Sequence, residues 1–332
     1  MKKTQGVEFM LLSIVVPFYN SMPYMKNLVE SLINNSISAF RQEVEIIFVN
    51  DGSTDDYHEA LKGLDEIFDI KIIDDTNHGT AHAKNLGLSS AEGKYVWFVD
   101  SDDVINDNAI KMMLEFLNKI SFQADIVFSN FFVFDEAVSN IVYSSDYDYS
   151  KYLDETCEAL SIDIVDILFS KLNMTLSIWY QIFNRRFLRD QNLLFDESLR
   201  ISEDLDFKLK TLFSSRKIAF SNGCTYGYRL PSKLRNSLST VMPAADDMLN
   251  IMQMELKWYR YLHKNYPFDA GRQYMKQRLA FLIFAHDKYL KTQLDAPALE
   301  DYLKEEIKSI IDDHNDSIQK TIEIYKSINK VG

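Results

Sequence analysis

YVWFVDSDD, residues 95–103, passes without interruption from an apolar run into three carboxylates. A short, continuously apolar segment bounded by polar residues reads as a strand covered on both faces. Unpaired carboxylates are costly to bury and have no packing reason to gather at a strand end. Asp100, Asp102 and Asp103 therefore point to chemistry at that end. Leu12 to Pro17 (LSIVVP), Glu45 to Asn50 (EIIFVN) and Ile70 to Asp74 (IKIID) repeat the apolar pattern upstream. Between these runs, Met22 to Ser36, Tyr57 to Ile67 and Gly79 to Ser90 suit helices, each opened by a turn or capping residue. The alternation predicts an α/β fold with a mostly parallel sheet and helices on its faces.

In open α/β sheets ligands bind beyond the carboxyl ends of the strands, and the polar motifs fall at those ends. Tyr19-Asn20 follows the first run, Asp51-Gly52-Ser53-Thr54-Asp55 the second, Asp74-Asp75 the third and Asp100-Ser101-Asp102-Asp103 the fourth. Asp100 and Asp102, two apart, can share one Mg²⁺ or Mn²⁺ bound to a diphosphate if the chain turns at Ser101, because such hard cations take oxygen ligands. Asp103 reads equally well as a cap for a helix beginning near Asn106. Asp51 is placed to accept hydrogen bonds from a base or ribose, although DGSTD also reads as a turn followed by an N-cap. Asn77 to Gly87 opens a helix with glycine and small residues, and a helix N-terminus offers free N–H donors to an anion. Asn77, Gly79 and Lys84 are the candidate nucleotide contacts there. His78 and His82 are four apart, as in a metal pair, yet no downstream Glu or His completes a zinc signature.

The chain has 332 residues, 46% of them hydrophobic, enough for one large domain or two ordinary ones. Its net charge of −13, from 49 acidic and 36 basic residues, excludes a general nucleic-acid or anionic-membrane surface. The two cysteines, Cys157 and Cys224, are too few for a disulfide framework and fit a reducing cytoplasm. The apolar run from Phe9 to Val16 follows two lysines but is short, lacks a small-residue cleavage site and continues into PFYN, so it is read as part of the fold rather than a signal peptide. No stretch approaches the ~20 apolar residues of a membrane span, and the longest, Leu279 to Ala285, reads as a core helix. The expectation is a soluble cytoplasmic protein, with attachment at the inner membrane face through a partner or lipid substrate left open. Ser139 to Tyr152 reads as a mobile loop or a hairpin edge. Long amphipathic helices are predicted at Ala244 to Asn265, Asp269 to Leu290, Ala296 to Ile311 and Ser317 to Ile328, suited to binding acceptor, covering the site or forming a homo-oligomer.

PFYN (17–20), NDGSTDD (50–56), N-x-G-x-x-x-A-x-N-x-G (77–87) and VDSDD (99–103), in that order, resemble the family 2 glycosyltransferases with a GT-A fold. The likeness is close over residues 11–110 and looser over residues 178–213. It implies a catalytic domain over 1–238, with a nucleotide-sugar half at about 11–110 and an acceptor half at about 111–238, followed by a helical region over 239–332. By resemblance, Glu203-Asp204 matches the family's acidic pair, with Asp204 the leading base and Glu203 the second candidate. The same residues also read as a helix start capped by Ser202. Tyr226-Gly227-Tyr228-Arg229 with Ser237 and Ser239 resembles the segment that approaches the diphosphate, and Arg229, Lys233 and Arg235 form a basic cluster. Pro17, Tyr19, Asn20 and Asp51 would surround base and ribose, with Ser101 beside the Asp100 and Asp102 metal ligands. The implied reaction is inverting transfer of a hexose or N-acetylhexosamine from a UDP-sugar, with Mn²⁺ or Mg²⁺, to a glycan, glycolipid or glycoprotein hydroxyl in bacterial surface-polysaccharide synthesis. Two alternatives come from other classes. One is a catalytically degenerate binding or assembly module, disfavoured by retention of Asp51, Asp102 and Asp204. The other is a sugar nucleotidylyltransferase, which should carry a basic, glycine-rich loop where PFYNSMPYMKN stands.

Overall fold

Leu12–Phe18 forms β1 and Val44–Asp51 forms β2, and every residue of both strands is buried, as continuous apolar runs in central parallel strands require. The computed structural model describes residues 10–22, 24–35, 42–120, 123–135, 140–145, 156–157, 177–230 and 245–265. The chain divides into two compact units, residues 1–160 with 176–236, and residues 161–175 with 237–332. In the first unit β3 (Asp69–Asp75) lies at the sheet edge with alternating exposure, and β4 (Tyr95–Phe98) is fully buried. Strands β1 to β4 pair in parallel, with Ile14 of β1 opposite Ile46 of β2 on one side and Trp97 of β4 on the other. Helices α1 (Tyr24–Asn34), α2 (His58–Leu61) and α3 (Thr80–Ser90) connect them.

Beyond β4 the sheet becomes mixed. The remaining elements are β5 (Val104–Ile105), α4 (Ala109–Lys119), β6 (Ile126–Asp135), β7 (Asn140–Ser144), β8 (Thr156–Cys157), β9 (Gln181–Asn184), α5 (Arg185–Asp190), α6 (Glu203–Ser214) and β10 (Ile218–Arg229). The sheet order is β3-β2-β1-β4-β9-β6-β10-β5, with β7 joined to β6 and β8 to β10. Strand β9 runs antiparallel to both neighbours, β4 and β6, whereas β10 runs parallel to β6. In the second unit the described element is α7 (Ala245–Asn265), in which Ile251, Met252, Leu256 and Leu262 are buried. Among the described residues no helix is long and apolar enough to cross a membrane.

Several boundaries differ from the sequence reading for local reasons. The helix expected over Tyr57 to Ile67 is broken after Leu61, because Gly63 takes φ +80° and a single 3-10 turn, Leu64–Glu66, follows. The helix expected near Asn106 starts at Ala109. Asn106 is held back by its N–H on Thr225 O and its side-chain amide on Cys224 O, and Asn108 turns the chain at φ +61°. Strand β4 stops at Phe98, and the Asp100 N–H turns away to the Tyr226 hydroxyl at 3.1 Å. Within Ser139 to Tyr152, residues 140–144 form a hairpin edge against β6; Ser139 and residues 146–152 lie outside the described residues. So do Leu279 to Ala285, the helices expected at Asp269 to Leu290, Ala296 to Ile311 and Ser317 to Ile328, and the residues Lys233, Arg235, Ser237 and Ser239.

The amino ends of the strands are pinned by a buried carboxylate. Glu45 is 0% exposed. Its Oε1 accepts from Ser13 Oγ at 2.6 Å, Glu92 N at 2.6 Å and Gly93 N at 3.1 Å, while Lys71 Nζ lies 2.8 Å from Oε2. Burial would raise Glu45, but Lys71, Ser13 and the Glu92 N–H outweigh it and hold the carboxyl below its ordinary value. At the other face of the parallel strands α3 packs tightly, and a Cβ added at Gly87 would lie 2.3 Å from Val15 Cγ1. Replacing a helical glycine by alanine gains about 1 kcal/mol in helix propensity, whereas overpacking a core costs up to about 3 kcal/mol. Gly87→Ala is therefore expected to lower the denaturation midpoint, read by thermal melting; an unchanged or raised midpoint would mean that α3 is not fixed against β1.

Candidate functional site

The first two strand-end loops are stitched to each other. Asn20, at φ +47°, donates its N–H to Ser53 Oγ at 3.0 Å, and its Oδ1 accepts from Thr54 N at 2.8 Å. Met22 N donates to Asp55 Oδ2 at 3.0 Å. Pro17 is buried within β1, whereas Tyr19 stands out at the rim, 50% exposed. Asn50 accepts from Ser53 N through Oδ1 and donates through Nδ2 to Asp74 Oδ1, which also accepts from Tyr57 OH at 2.5 Å. Gly52 takes φ +78°, and a Cβ there would lie 2.8 Å from Asn77 N, so both conformation and space demand glycine.

That close approach brings Asp51 under the entrance to α3. Asp51 Oδ1 accepts from His78 N at 2.7 Å and Oδ2 from Gly79 N at 2.9 Å, and the side chain is buried. The carboxylate sits at the positive end of the helix dipole. Asp51, Asn77 and Gly79 are thus one cluster, with Asp51 engaged by backbone N–H groups of this chain.

In the DSDD loop, Ser101 and Asp103 are buried, while Asp100 and Asp102 are partly accessible. Asp103 is not the cap of α4. Its Oδ2 accepts from Tyr226 OH and its Oδ1 from Arg229 N, both at 2.7 Å. Burial first, and then the charge of Asp100, push Asp103 well above the ordinary carboxyl range. Arg229 Nε donates to Asp102 O at 2.5 Å, and its guanidinium lies over the rings of Phe134 and Tyr24 at 4.8 and 5.3 Å. Arg229 therefore reaches the acidic loop through the Asp102 carbonyl. Behind this junction Trp179 stacks on Tyr226 at 4.6 Å and on Tyr228 at 5.4 Å.

The third cluster joins segments 120 residues apart. Lys84 of α3 is 2% exposed, and its Nζ lies 2.5 Å from Asp204 Oδ1 and 3.2 Å from Glu203 Oε1. Burial alone would lower Lys84, but Asp204, Glu203 and Asp100 together hold it well above its ordinary value. Burial pushes Glu203 up to about 7 in spite of Lys84. Asp100 is thus within electrostatic range of the ammonium that clasps Glu203 and Asp204. The sequence reading gave Lys84 to the incoming nucleotide; its ammonium is instead enclosed by the acidic pair. Ser202 precedes α6 at φ +68° and makes no side-chain cap hydrogen bond, so the pair is not explained by a Ser202 cap.

Residues missed in the sequence flank this cluster. Asn85 brackets Phe195, accepting from its N–H at 2.9 Å and donating to its carbonyl at 3.0 Å, and Phe195 stacks on Phe207 of α6 at 3.9 Å. The second asparagine of the N-x-G-x-x-x-A-x-N motif was the available signal for Asn85. Lys208 is buried on α6 against Ser177 O and Tyr180 OH, and burial pushes it well below its ordinary value. Nothing local in the sequence announces those partners. His78 and His82 have ring centroids 4.8 Å apart, but the His82 nitrogens face Asp75 and Glu197.

Asp100 and Asp102 offer two carboxylates of the hard-donor kind that Mg²⁺ or Mn²⁺ takes. Among the described residues no three metal-ligating side chains gather. A cation held by this pair would have to complete its shell with diphosphate oxygens and water.

The family model described as Glycosyl transferase family 2 matches residues 13–186. Glycosyltransferase GlyA of Streptococcus pneumoniae serotype 4 is 30% identical over 237 residues, which cover 69% of this chain and 32% of GlyA. The poly(ribitol-phosphate) beta-N-acetylglucosaminyltransferase TarS of Staphylococcus aureus is 25% identical over 74% of this chain and 40% of TarS. The chain thus spans 32% and 40% of the length of these two relatives. The crystal structure of TarS 1-349 in complex with UDP-GlcNAc superposes with a TM-score of 0.62 at 22% identity, covering 92% of this chain and 80% of that one. The mannosyltransferase PcManGT from Pyrobaculum calidifontis, in complex with GDP-Man and Mn²⁺, gives 0.55 at 14% identity, covering 93% and 84%. With the matched segment running from β1 through the DSDD loop to α5, and the sheet shared with these structures, the chain belongs to glycosyl transferase family 2 and has the GT-A fold.

Proposed function

We propose that the protein transfers an N-acetylhexosamine or hexose from a UDP-sugar to a hydroxyl of a bacterial surface glycan, glycolipid or glycoprotein, inverting the anomeric centre. The observation that carries this reading is the enclosure of Lys84 by Glu203 and Asp204 within electrostatic range of Asp100. It joins a proton-accepting group to the strand end that suits a diphosphate. UDP-GlcNAc in the TarS complex supports a uridine donor, and the name of TarS supports a surface-polymer acceptor. GDP-Man with Mn²⁺ in PcManGT supports a metal-dependent donor site.

In this reading Pro17, Tyr19 and Asn20 border the base and ribose, and Asp51 acts indirectly, by fixing the Asn77 to Gly79 entrance to α3. Asp100 and Asp102, with Ser101 between them, would hold Mn²⁺ or Mg²⁺, which supplies Lewis-acid stabilisation of the leaving diphosphate. Arg229 braces the loop through the Asp102 carbonyl. Asp204 takes the proton of the acceptor hydroxyl as its oxygen bonds to the anomeric carbon, opposite the diphosphate whose C–O bond breaks. Lys84 engages Asp204 Oδ1, which leaves Oδ2 for that proton. Glu203, raised to about 7 by burial and also engaged by Lys84, is the second candidate base. Holding both substrates together supplies much of the remaining acceleration. Residues 239–332, for which the sequence predicts helices, would bind acceptor or a second copy, at the inner membrane face when the acceptor is lipid-linked.

A panel of nucleotide sugars with Mn²⁺, read by nucleoside diphosphate release, tests the reading. UDP is the expected product; no UDP from any nucleotide sugar, with pyrophosphate released instead from UTP and a sugar 1-phosphate, would identify a nucleotidylyltransferase. Asp204→Asn is expected to lower kcat by about 10²- to 10⁴-fold with donor affinity nearly unchanged, and Glu203→Gln by less than about tenfold. The reverse ranking would make Glu203 the base. EDTA is expected to abolish turnover and added Mn²⁺ to restore it, and Asp102→Asn to lose turnover together with Mn²⁺-dependent UDP binding in calorimetry. Chelator-resistant transfer would remove the cation from the mechanism.

A further inference from the structure

His82, in the first turn of α3, has no part in the chemistry assigned above. Its ring nitrogens meet carboxylates from two distant parts of the chain. Nε2 lies 3.0 Å from Asp75 Oδ2 at the end of β3, and Nδ1 lies 3.0 Å from Glu197 Oε2 in the segment between α5 and α6. A neutral imidazole has one N–H and one lone pair and can donate to one carboxylate only, whereas an imidazolium donates to both. The geometry therefore suits the charged ring. A cation near a helix N-terminus is disfavoured by the dipole, so the two carboxylates must outweigh that cost. The titratable groups facing the ring are Asp75 from β3, Glu197 from the segment before α6 and His78 from the loop before α3. Asp51 lies under the same loop. The hydrogen bond to Glu197, with help from that to Asp75, raises His82 above its ordinary 6.5 against the desolvation that burial imposes. Asn85 and then His82 hold Glu197 low, and the Thr76 N–H and then His82 hold Asp75 low.

This contact is one of three by which α3 grips the chain leading into the acidic pair. Asn85 brackets Phe195 and donates to Glu197 Oε1 at 2.8 Å, and Lys84 receives Glu203 and Asp204. Phe195 lies flat on Phe207, at an interplanar angle of 8°, so the segment is also seated on α6. We infer that His82, as an imidazolium bridging Asp75 and Glu197, is a positioning residue: it straps residues 195–197 to α3 and so sets where Glu203 and Asp204 meet Lys84. The inference rests on the reading of Asp204 as base. For a group whose value is raised on folding, the strap is complete below pH 6.5 and weakens as pH rises through the higher folded value, when one carboxylate comes to face a lone pair.

The test compares kcat and donor KM for UDP release between about pH 6 and pH 9 in wild type, His82→Phe, His82→Arg and Glu197→Gln. Wild type is expected to lose kcat on the alkaline side. His82→Phe and Glu197→Gln are expected to lower kcat about fivefold at the acid end, with donor KM unchanged and a flattened alkaline limb. His82→Arg, which donates at every pH, should recover kcat and also lack the limb. Independently of activity, ¹⁵N NMR of the imidazole, assigned by the signal lost in His82→Phe, should give His82 a pKa above 6.5 that falls in Glu197→Gln. A ring titrating at or below the ordinary value, or variants that keep both wild-type kcat and its limb, overturns the strap. A wild type that transfers no sugar at all defeats the functional reading instead, and the NMR arm still decides the strap.

Discussion

A lysine ammonium removed from water is the constraint around which the site is arranged. Lys84 is 2% exposed, and an isolated charge at that depth would be strongly disfavoured. It is tolerated because Asp204 and Glu203 close on it and Asp100 adds its field. The compensation works only if α3 lies close to β1 and β2, which small residues permit: Ala83 is buried, and Gly87 leaves no room for a Cβ against Val15. Packing of the parallel layer and placement of the acidic pair are thus one requirement. Removing either carboxylate alone would leave a buried charge incompletely matched, so the pair is tied to the fold as well as to the proposed chemistry.

The two ends of the parallel strands are specialised in opposite ways. At the amino ends Glu45 gathers donors from Ser13, Glu92, Gly93 and Lys71 and holds four chain segments together. At the carboxyl ends acidic groups are divided between support and accessibility. Asp51 and Asp103 are buried and satisfied by N–H and hydroxyl donors of this chain, whereas Asp100 and Asp102 remain partly accessible. Adjacent aspartates in one motif therefore do different work. Asp103 anchors the loop to β10, and Asp100 and Asp102 are left partly accessible.

What the sequence made legible follows from range. Strands β1 to β4 and helix α3 are visible in the chain because apolar continuity and the small residues of N-x-G-x-x-x-A-x-N are local properties. The carboxylates at strand ends were legible for the same reason. The true partners of Asp103, Lys84 and His82 were not, since Tyr226, Asp204 and Glu197 come from over a hundred residues downstream. Asp103 in particular resembles a helix cap until β10 is beside it. The break after α2 is a different kind of miss: Gly63 was in plain view, and its left-handed turn overrode the apolar periodicity around it. Three of the four expected C-terminal helices fall outside the described residues.

The position of β9 in the sheet bears on how the chain is made. Residues 181–184 lie between β4, which ends at Phe98, and β6, which begins at Ile126. During synthesis β4 consequently leaves the ribosome with one bare edge. That edge keeps Val96 and Trp97 without their antiparallel partners until some eighty further residues have been added. Pairings of such long sequence separation are slow to form, and an open strand edge invites pairing with other chains. Strands β1 to β4 therefore depend on a late-arriving strand to cover the free edge of β4, and a nascent chain arrested before Asn184 exposes a sticky seam.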